Sequence, residues 1–302
     1  MTIKNKVITP RTYITKRYQS SKLISSPFSI KNTRKIRESN ESFPTPSFIS
    51  FDLFGTLYYP KKPVPEQYYD ISHGEYGLNK SIESIEKEFP VVYDKLLDKW
   101  PNCGKHVLND CEKWWEKLIL KLYNLSENDP QAIKMSDRLI NHFTSSDAYA
   151  VYADVIPTLE KLKQHNIKLI ATSNSDLRVM KILDSLNLMK FFKHGAVKDI
   201  YLSYNLDNLK PEKLFFDKIA LKNYQQEIQN KDDESIPYSY LEKCWHIGDN
   251  YNQDFLGAVK AGWNGIFINR DSKIKDKFEI IANNRVMITD LRQLLEIFEL
   301  NE

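Results

Sequence analysis

No aspartate or glutamate occurs before Glu38, although the same stretch holds ten lysines and arginines (Lys4, Lys6, Arg11, Lys16, Arg17, Lys22, Lys31, Arg34, Lys35 and Arg37). The 302-residue chain has 43 basic and 40 acidic side chains, so beyond Arg37 there are 33 bases against 40 acids, and the net +3 is a +10 leader on a −7 body. That balance argues against a nucleic-acid binder with a basic folded domain. Cysteine is scarce as well: Cys103, Cys111 and Cys244 are an odd number with no CxxC pair, which argues against a disulfide framework or a zinc site. They are expected as reduced, mostly buried thiols. No apolar run approaches the roughly 18 residues of a membrane span, and the leader lacks the apolar core of a secretory signal. Internal repeats and low-complexity segments are missing too. What remains, 41% hydrophobic residues, suits one large or two modest globular domains with a real core.

Residues 1–44 read as a basic targeting leader. Lysine, arginine, serine and threonine with interspersed Ile3, Val7, Ile8, Ile14, Tyr18 and Leu23 fit a mitochondrial transit peptide, which places the protein in the mitochondrion, in its matrix. The plainer alternative is a disordered basic tail. Pro44 and Pro46 oppose any helix running into the body and mark the boundary.

In the body, Ser47 to Asp52 is a β-prone run that ends on a carboxylate and meets Gly55. From about residue 150, strands alternate with helices. Strands are expected at Ile167–Ala171, Ala196–Leu202, Cys244–Ile247 and Gly265–Ile268, with helices through Leu159 and Leu162, through Val179 to Leu186, from Pro211, through Phe255 and Val259, and from Asp290. The fold class is therefore α/β, a Rossmann-like parallel sheet covered on both faces, with ligands expected beyond the carboxyl ends of the strands. Residues 45–57 and 151–302 form this core. Residues 58–150 read as an inserted helical cap without convincing strands. Cys111, Trp114, Trp115, Leu118, Ile119 and Leu122 follow helical spacing, and Asp129-Pro130 looks like an N-cap and first helical residue. The tryptophans are read as cap packing rather than a ligand platform.

Four short segments sit where strands end: Asp52-Leu53-Phe54-Gly55-Thr56-Leu57, Ala171-Thr172-Ser173-Asn174, Lys210-Pro211, and Gly248-Asp249-Asn250-Tyr251-Asn252-Gln253-Asp254. Singly they are weak signals, since an aspartate at a strand end commonly caps or turns the chain. In combination and order they resemble the four motifs of the haloacid dehalogenase superfamily across residues 47–302. His246 to Tyr251 and the Trp114-Trp115 helix resemble its eukaryotic group called haloacid dehalogenase-like hydrolase domain-containing protein 3, with a mitochondrial fungal-type member expected.

That resemblance implies a Rossmann-like core, an α-helical cap, and hydrolysis through a covalent intermediate on Asp52, which divides one difficult displacement into two steps. It implies Mg2+ held by Asp52, the backbone carbonyl of Phe54, Asp249 and Asp254, a cation that relieves repulsion among three carboxylates. Lys210 would neutralise the transferring group and orient Asp52. Thr56 and Ser173 would supply hydroxyls, with Asn174 beside them.

One position departs from the pattern. Phosphatases of the superfamily carry a second aspartate two residues after the nucleophile, as general acid and base; here that residue is Phe54. Losing such a group typically costs about a hundred- to ten-thousand-fold in rate. Branches that cleave carbon–halogen or carbon–phosphorus bonds also lack it, whereas dehalogenases generally lack the Gly-Asp segment retained at Asp249 and Asp254. The leading expectation is a Mg2+-dependent hydrolase of a small phosphorylated or otherwise activated metabolite, with weak or atypical phosphatase activity. Its rivals are a catalytically impaired relative acting as a mitochondrial binding or assembly factor, with a protein partner, and a metal-independent dehalogenase-like hydrolase. His246 is read as a core residue, and Tyr58 and Tyr59 as a linker or cap hinge.

Overall fold

A computed structural model describes residues 43–272, 278–282 and 285–300. The basic leader lies outside the described residues except for Phe43 and Pro44, which are tied down: the Pro44 carbonyl accepts the Trp245 indole N–H at 3.2 Å, and Phe43 meets Trp245 edge-on. The chain divides into two compact units, one containing 60–149 and the other 43–59 with 150–300.

The second unit is built on β1 (Phe48–Phe51), whose four residues are all buried, as expected of a strand covered on both faces. Two short strands, β2 (Tyr58–Pro60) and β3 (Tyr149–Val151), pair with each other and carry the chain out of this unit and back. There follow β4 (Leu169–Ser173), a small hairpin of β5 (Lys193–His194) and β6 (Val197–Lys198), then β7 (Ile200–Leu202), β8 (Cys244–Gly248), β9 (Asn264–Ile268), β10 (Glu279–Ala282) and β11 (Arg285–Ile288). Among the described residues the main sheet has seven strands in the order β10-β11-β9-β8-β1-β4-β7, parallel except at β10. The chain builds from β1 outward through β4 and β7, then resumes at β8 on the other side of β1. The reversal at β1 is the switch point at which open parallel sheets bind ligands. Helix Lys213–Glu227 packs Phe215, Phe216 and Ile219 against Phe48, Ile170 and Trp263.

Several boundaries differ from the sequence expectation. Pro211 lies in a turn, and its helix starts at Lys213, because the Glu212 N–H bonds to the Leu209 carbonyl and its carboxylate takes the Asn208 side chain. The expected strand Ala196–Leu202 is split at Asp199, whose N–H bonds to Phe192 while its carbonyl serves Ala171. The helix through Phe255 and Val259 begins as a π-type turn, Tyr251–Leu256, and the last helix is Gln293–Ile297, with Asp290 in the preceding turn. The β10/β11 pair was not anticipated.

The first unit consists mainly of helices Val64–Gly74, Ile82–Lys99, Cys111–Tyr123 and Pro130–His142. Asp110 and Asp129 cap the last two by accepting the N–H of Glu112 and Gln131, contacts worth about 1 kcal/mol each. Trp114 is fully buried beside Leu118 and Leu122, with Tyr93 edge-on at 5.3 Å. Cys111 and Cys244 are buried, and all three cysteines are free thiols. Among the described residues no helix is long and apolar enough to cross a membrane.

Candidate active site

Strand register assembles the site. Phe51 pairs with Ala171 on one side and Ile247 on the other, so Asp52, Ser173-Asn174 and Gly248-Asp249 leave neighbouring strands at the same edge. The Asp52 N–H extends the ladder by bonding the Ile247 carbonyl at 2.8 Å. Asp52, Asp249 and Asp254 thereby bring carboxylate oxygens within 4.8 Å of one another.

Lys210 enters from the loop after β7. Its ammonium donates to Asp52 Oδ1 at 2.6 Å and to the Thr172 carbonyl at 3.3 Å, and forms an ion pair with Asp254 Oδ1 at 2.7 Å. Such pairing is what permits a lysine with no exposed surface, since an unpaired buried charge costs several kcal/mol. Asn174 fixes the backbone that carries it: its amide donates to the Lys210 carbonyl and its oxygen accepts the Lys210 N–H, both at 2.8 Å. Asn174 is therefore committed to placing Lys210. Ser173 ends β4 and is buried.

Thr56 links the first and fourth segments. Its hydroxyl is 3.3 Å from Asp52 Oδ2 and 3.2 Å from Asp249 Oδ1, with one proton to divide between them, and it accepts the Asp249 N–H at 3.1 Å. Two glycines permit the close approach. A Cβ on Gly55, at φ +83°, would strike the Asp249 carboxylate, and one on Gly248 would strike Asp254. Asp254 is held by its own loop, because Oδ2 accepts the Asn250 N–H while the Asp254 N–H returns to the Asn250 carbonyl, each at 2.9 Å. Phe54 is half-buried and meets Tyr58 edge-on at 5.9 Å.

A polar chain behind these residues was not foreseen. His246, fully buried, sets Nε2 3.3 Å from Asp254 Oδ1 and Nδ1 2.9 Å from Ser50 Oγ, which lies 3.1 Å from Thr172 Oγ1. Burial pushes the imidazole pKa down. A neutral ring donating from Nε2 to the carboxylate, with Ser50 donating to Nδ1 and Thr172 to Ser50, satisfies every member. Arg270, also unforeseen, donates to the Thr56 carbonyl and to Asp154, each at 2.6 Å, and lies 4.0 Å over the Tyr152 ring.

One ammonium against three carboxylates leaves two negative charges in a largely buried, all-oxygen cluster. That donor set and charge fit a hard divalent cation, with Asp52, Asp249 and Asp254 as the carboxylates that would hold it.

Residues 48–262 match the family profile described as haloacid dehalogenase-like hydrolase. The uncharacterized protein YMR130W of Saccharomyces cerevisiae is 32% identical over 79% of this chain and 76% of its own length. Haloacid dehalogenase-like hydrolase domain-containing protein 3 of Danio rerio is 25% identical over 77% and 89%. Among solved structures, the magnesium-bound HAD-hydrolase YfnB of Bacillus subtilis superposes with a TM-score of 0.55 at 17% identity, covering 86% of this chain and all of that one. A 2-haloacid dehalogenase of Pseudomonas syringae gives 0.54 at 18%, covering 84% and 99%.

Proposed function

The chain belongs to the haloacid dehalogenase-like hydrolases, and from that premise we propose that it is a Mg2+-dependent hydrolase that uses Asp52 as nucleophile on a small phosphorylated or otherwise activated metabolite. The observation that carries this reading is the buried Lys210–Asp52 contact of 2.6 Å inside a three-carboxylate cluster. Lys210 aims Asp52, and offers positive charge where the transferring group gains negative charge. Thr56 holds Asp52 and Asp249 in register. The cation, when bound, would neutralise the carboxylates and polarise the transferring group. Metal-independent dehalogenation is disfavoured by the retention of Asp249 and Asp254 beside Asp52.

Phe54 supports a second reading, a catalytically impaired relative retained as a binding or assembly factor with a protein partner. Asp52→Asn separates the two: complementation of a deletion strain by this variant, with its fold intact, supports the scaffold, and failure of complementation together with loss of Mg2+-dependent turnover supports the enzyme. The basic leader supports a mitochondrial, matrix location, which an intact Met1 on protein recovered from mitochondria would deny as a cleaved import signal.

A further inference from the structure

The missing acid two residues after Asp52 has a consequence for the substrate, provided that nothing nearby replaces it. Phe54 presents a phenyl ring, held half-buried against Tyr58, and a ring of that kind moves no proton. Lys210 has no exposed surface, donates to Asp52 and to the Thr172 carbonyl, and is ion-paired with Asp254. Parting with one of its protons would leave the carboxylates without a counter-charge. His246 is equally buried and is bound through Nε2 to Asp254 and through Nδ1 to Ser50. The Thr56 hydroxyl is shared by Asp52 and Asp249 and is too weak an acid for the task. Each of these groups is placed to hold the nucleophile and its neighbouring carboxylates, and none to protonate a departing oxygen.

We infer that the site acts on phosphoryl groups whose leaving group departs without a proton, mixed anhydrides such as acyl phosphates, in preference to alkyl phosphomonoesters. This deepens the hydrolase reading above and rests on it. A carboxylate leaves as the base of an acid near pKa about 4, whereas an alkoxide is comparable to the hydroxide of water, at about 15.7. In the first step an Asp52 carboxylate oxygen bonds to phosphorus, the bond from phosphorus to the acyl oxygen breaks, and its electron pair leaves on the free carboxylate. In the second, water bonds to phosphorus as the bond to Asp52 breaks. The electron pair returns to Asp52, and both protons of the water leave on dihydrogen phosphate. Neither step needs an acid at position 54.

The test compares acetyl phosphate with methyl phosphate, with Mg2+ present, for the full-length wild type, Phe54→Asp, Phe54→Asn and Asp52→Asn. The wild type should favour acetyl phosphate in kcat/KM by about a thousandfold or more, on the scale of general-acid effects. Phe54→Asp should reduce that ratio at least about a hundredfold by supplying a proton, and Phe54→Asn, which also removes the ring but carries no acid, should not. Asp52-dependent turnover of both substrates within tenfold of each other in the wild type overturns the inference and leaves the hydrolase reading standing, as does an unaltered ratio in Phe54→Asp. Absence of any turnover that Asp52→Asn abolishes overturns both. If Phe54→Asp does not fold, the wild-type ratio alone decides.

Discussion

Lys210 and Asp52, 158 residues apart in sequence, close a buried ion pair of 2.6 Å, and the same ammonium holds Asp254 at 2.7 Å. Its removal should therefore cost more than catalysis. Lys210→Met leaves both carboxylates buried without their counter-charge, and urea unfolding should show a loss of about 3–5 kcal/mol, the range for breaking a buried pair from one side. Lys210→Arg should not restore stability, because a planar fork does not fit three acceptors arranged around a point charge. Equal stability of wild type and Lys210→Met would mean that the pair is not formed.

Thr56 touches two carboxylates and one backbone N–H through a single oxygen. Thr56→Val replaces that oxygen with a methyl group and orphans the Asp249 N–H, a change expected to cost about 1–3 kcal/mol. Thr56→Ser should recover most of it. A valine variant that unfolds at the wild-type denaturant concentration would show that the hydroxyl bridge contributes nothing.

Close packing of backbone against carboxylate gives a separate test. A Cβ on Gly248 meets the Asp254 side chain, and overpacking of this kind typically costs about 1–3 kcal/mol. Gly248→Ala should lower the melting temperature and also diminish the further rise on adding Mg2+, since ligand stabilisation follows affinity. Gly74→Ala, with nothing within 4 Å of its Cβ, is the control and should do neither. A full Mg2+ shift in Gly248→Ala would place the cation away from Asp254.

How much of this could be read from the sequence depended on how local the cause was. Asp129-Pro130 announced a helix start because a cap is a contact between near neighbours, and the structure has the Asp129 carboxylate on the Gln131 N–H. Asp52, Lys210, Asp249 and Asp254 were legible from their order along the chain, although their distances depend on strand register. The Ser50–His246–Asp254 chain was not, because two strands and the π-type turn after β8 set its spacing and a lone histidine in an apolar strand resembles any satisfied core residue. Ser50 did carry a signal: a hydroxyl inside Phe48-Ile49-Ser50-Phe51, buried on both faces, had to find a partner. The π-type turn at Tyr251–Leu256 keeps the helical spacing of Phe255 and Val259, so periodicity alone could not distinguish it.

Arg270 shows what spacing arguments miss on the other side of the loop. Its guanidinium joins the Thr56 carbonyl to Asp154 while covering Tyr152. Arg270→Lys keeps the charge but cannot span both oxygens, and should cost about 1.5–3 kcal/mol, the value of a hydrogen bond to a charged group. Because the lost bond is to the nucleophile loop, kcat should fall more than KM rises. A change confined to KM would assign Arg270 to substrate binding instead.

The helical unit has its own titration. His142 donates from Nε2 to Gln67 Oε1 at 2.6 Å, while Nδ1 is buried without a hydrogen bond among the described residues. Burial, then the nearby Arg138 charge, holds its pKa below the usual 6.5, with Asp147 and Glu75 opposing in part. In the unfolded chain the imidazole takes up its proton as pH falls through about 6.5, whereas the folded one still resists it. The unfolded state then binds more protons, so this contribution is complete above about 6.5 and is lost as the pH descends toward the folded pKa. His142→Gln cannot titrate. Its melting temperature should fall less steeply than that of wild type between about pH 7.5 and 5.5, and the remaining slope should include His246, whose pKa is also lowered. Superimposable slopes for the two proteins would show that His142 is equally easy to protonate folded and unfolded.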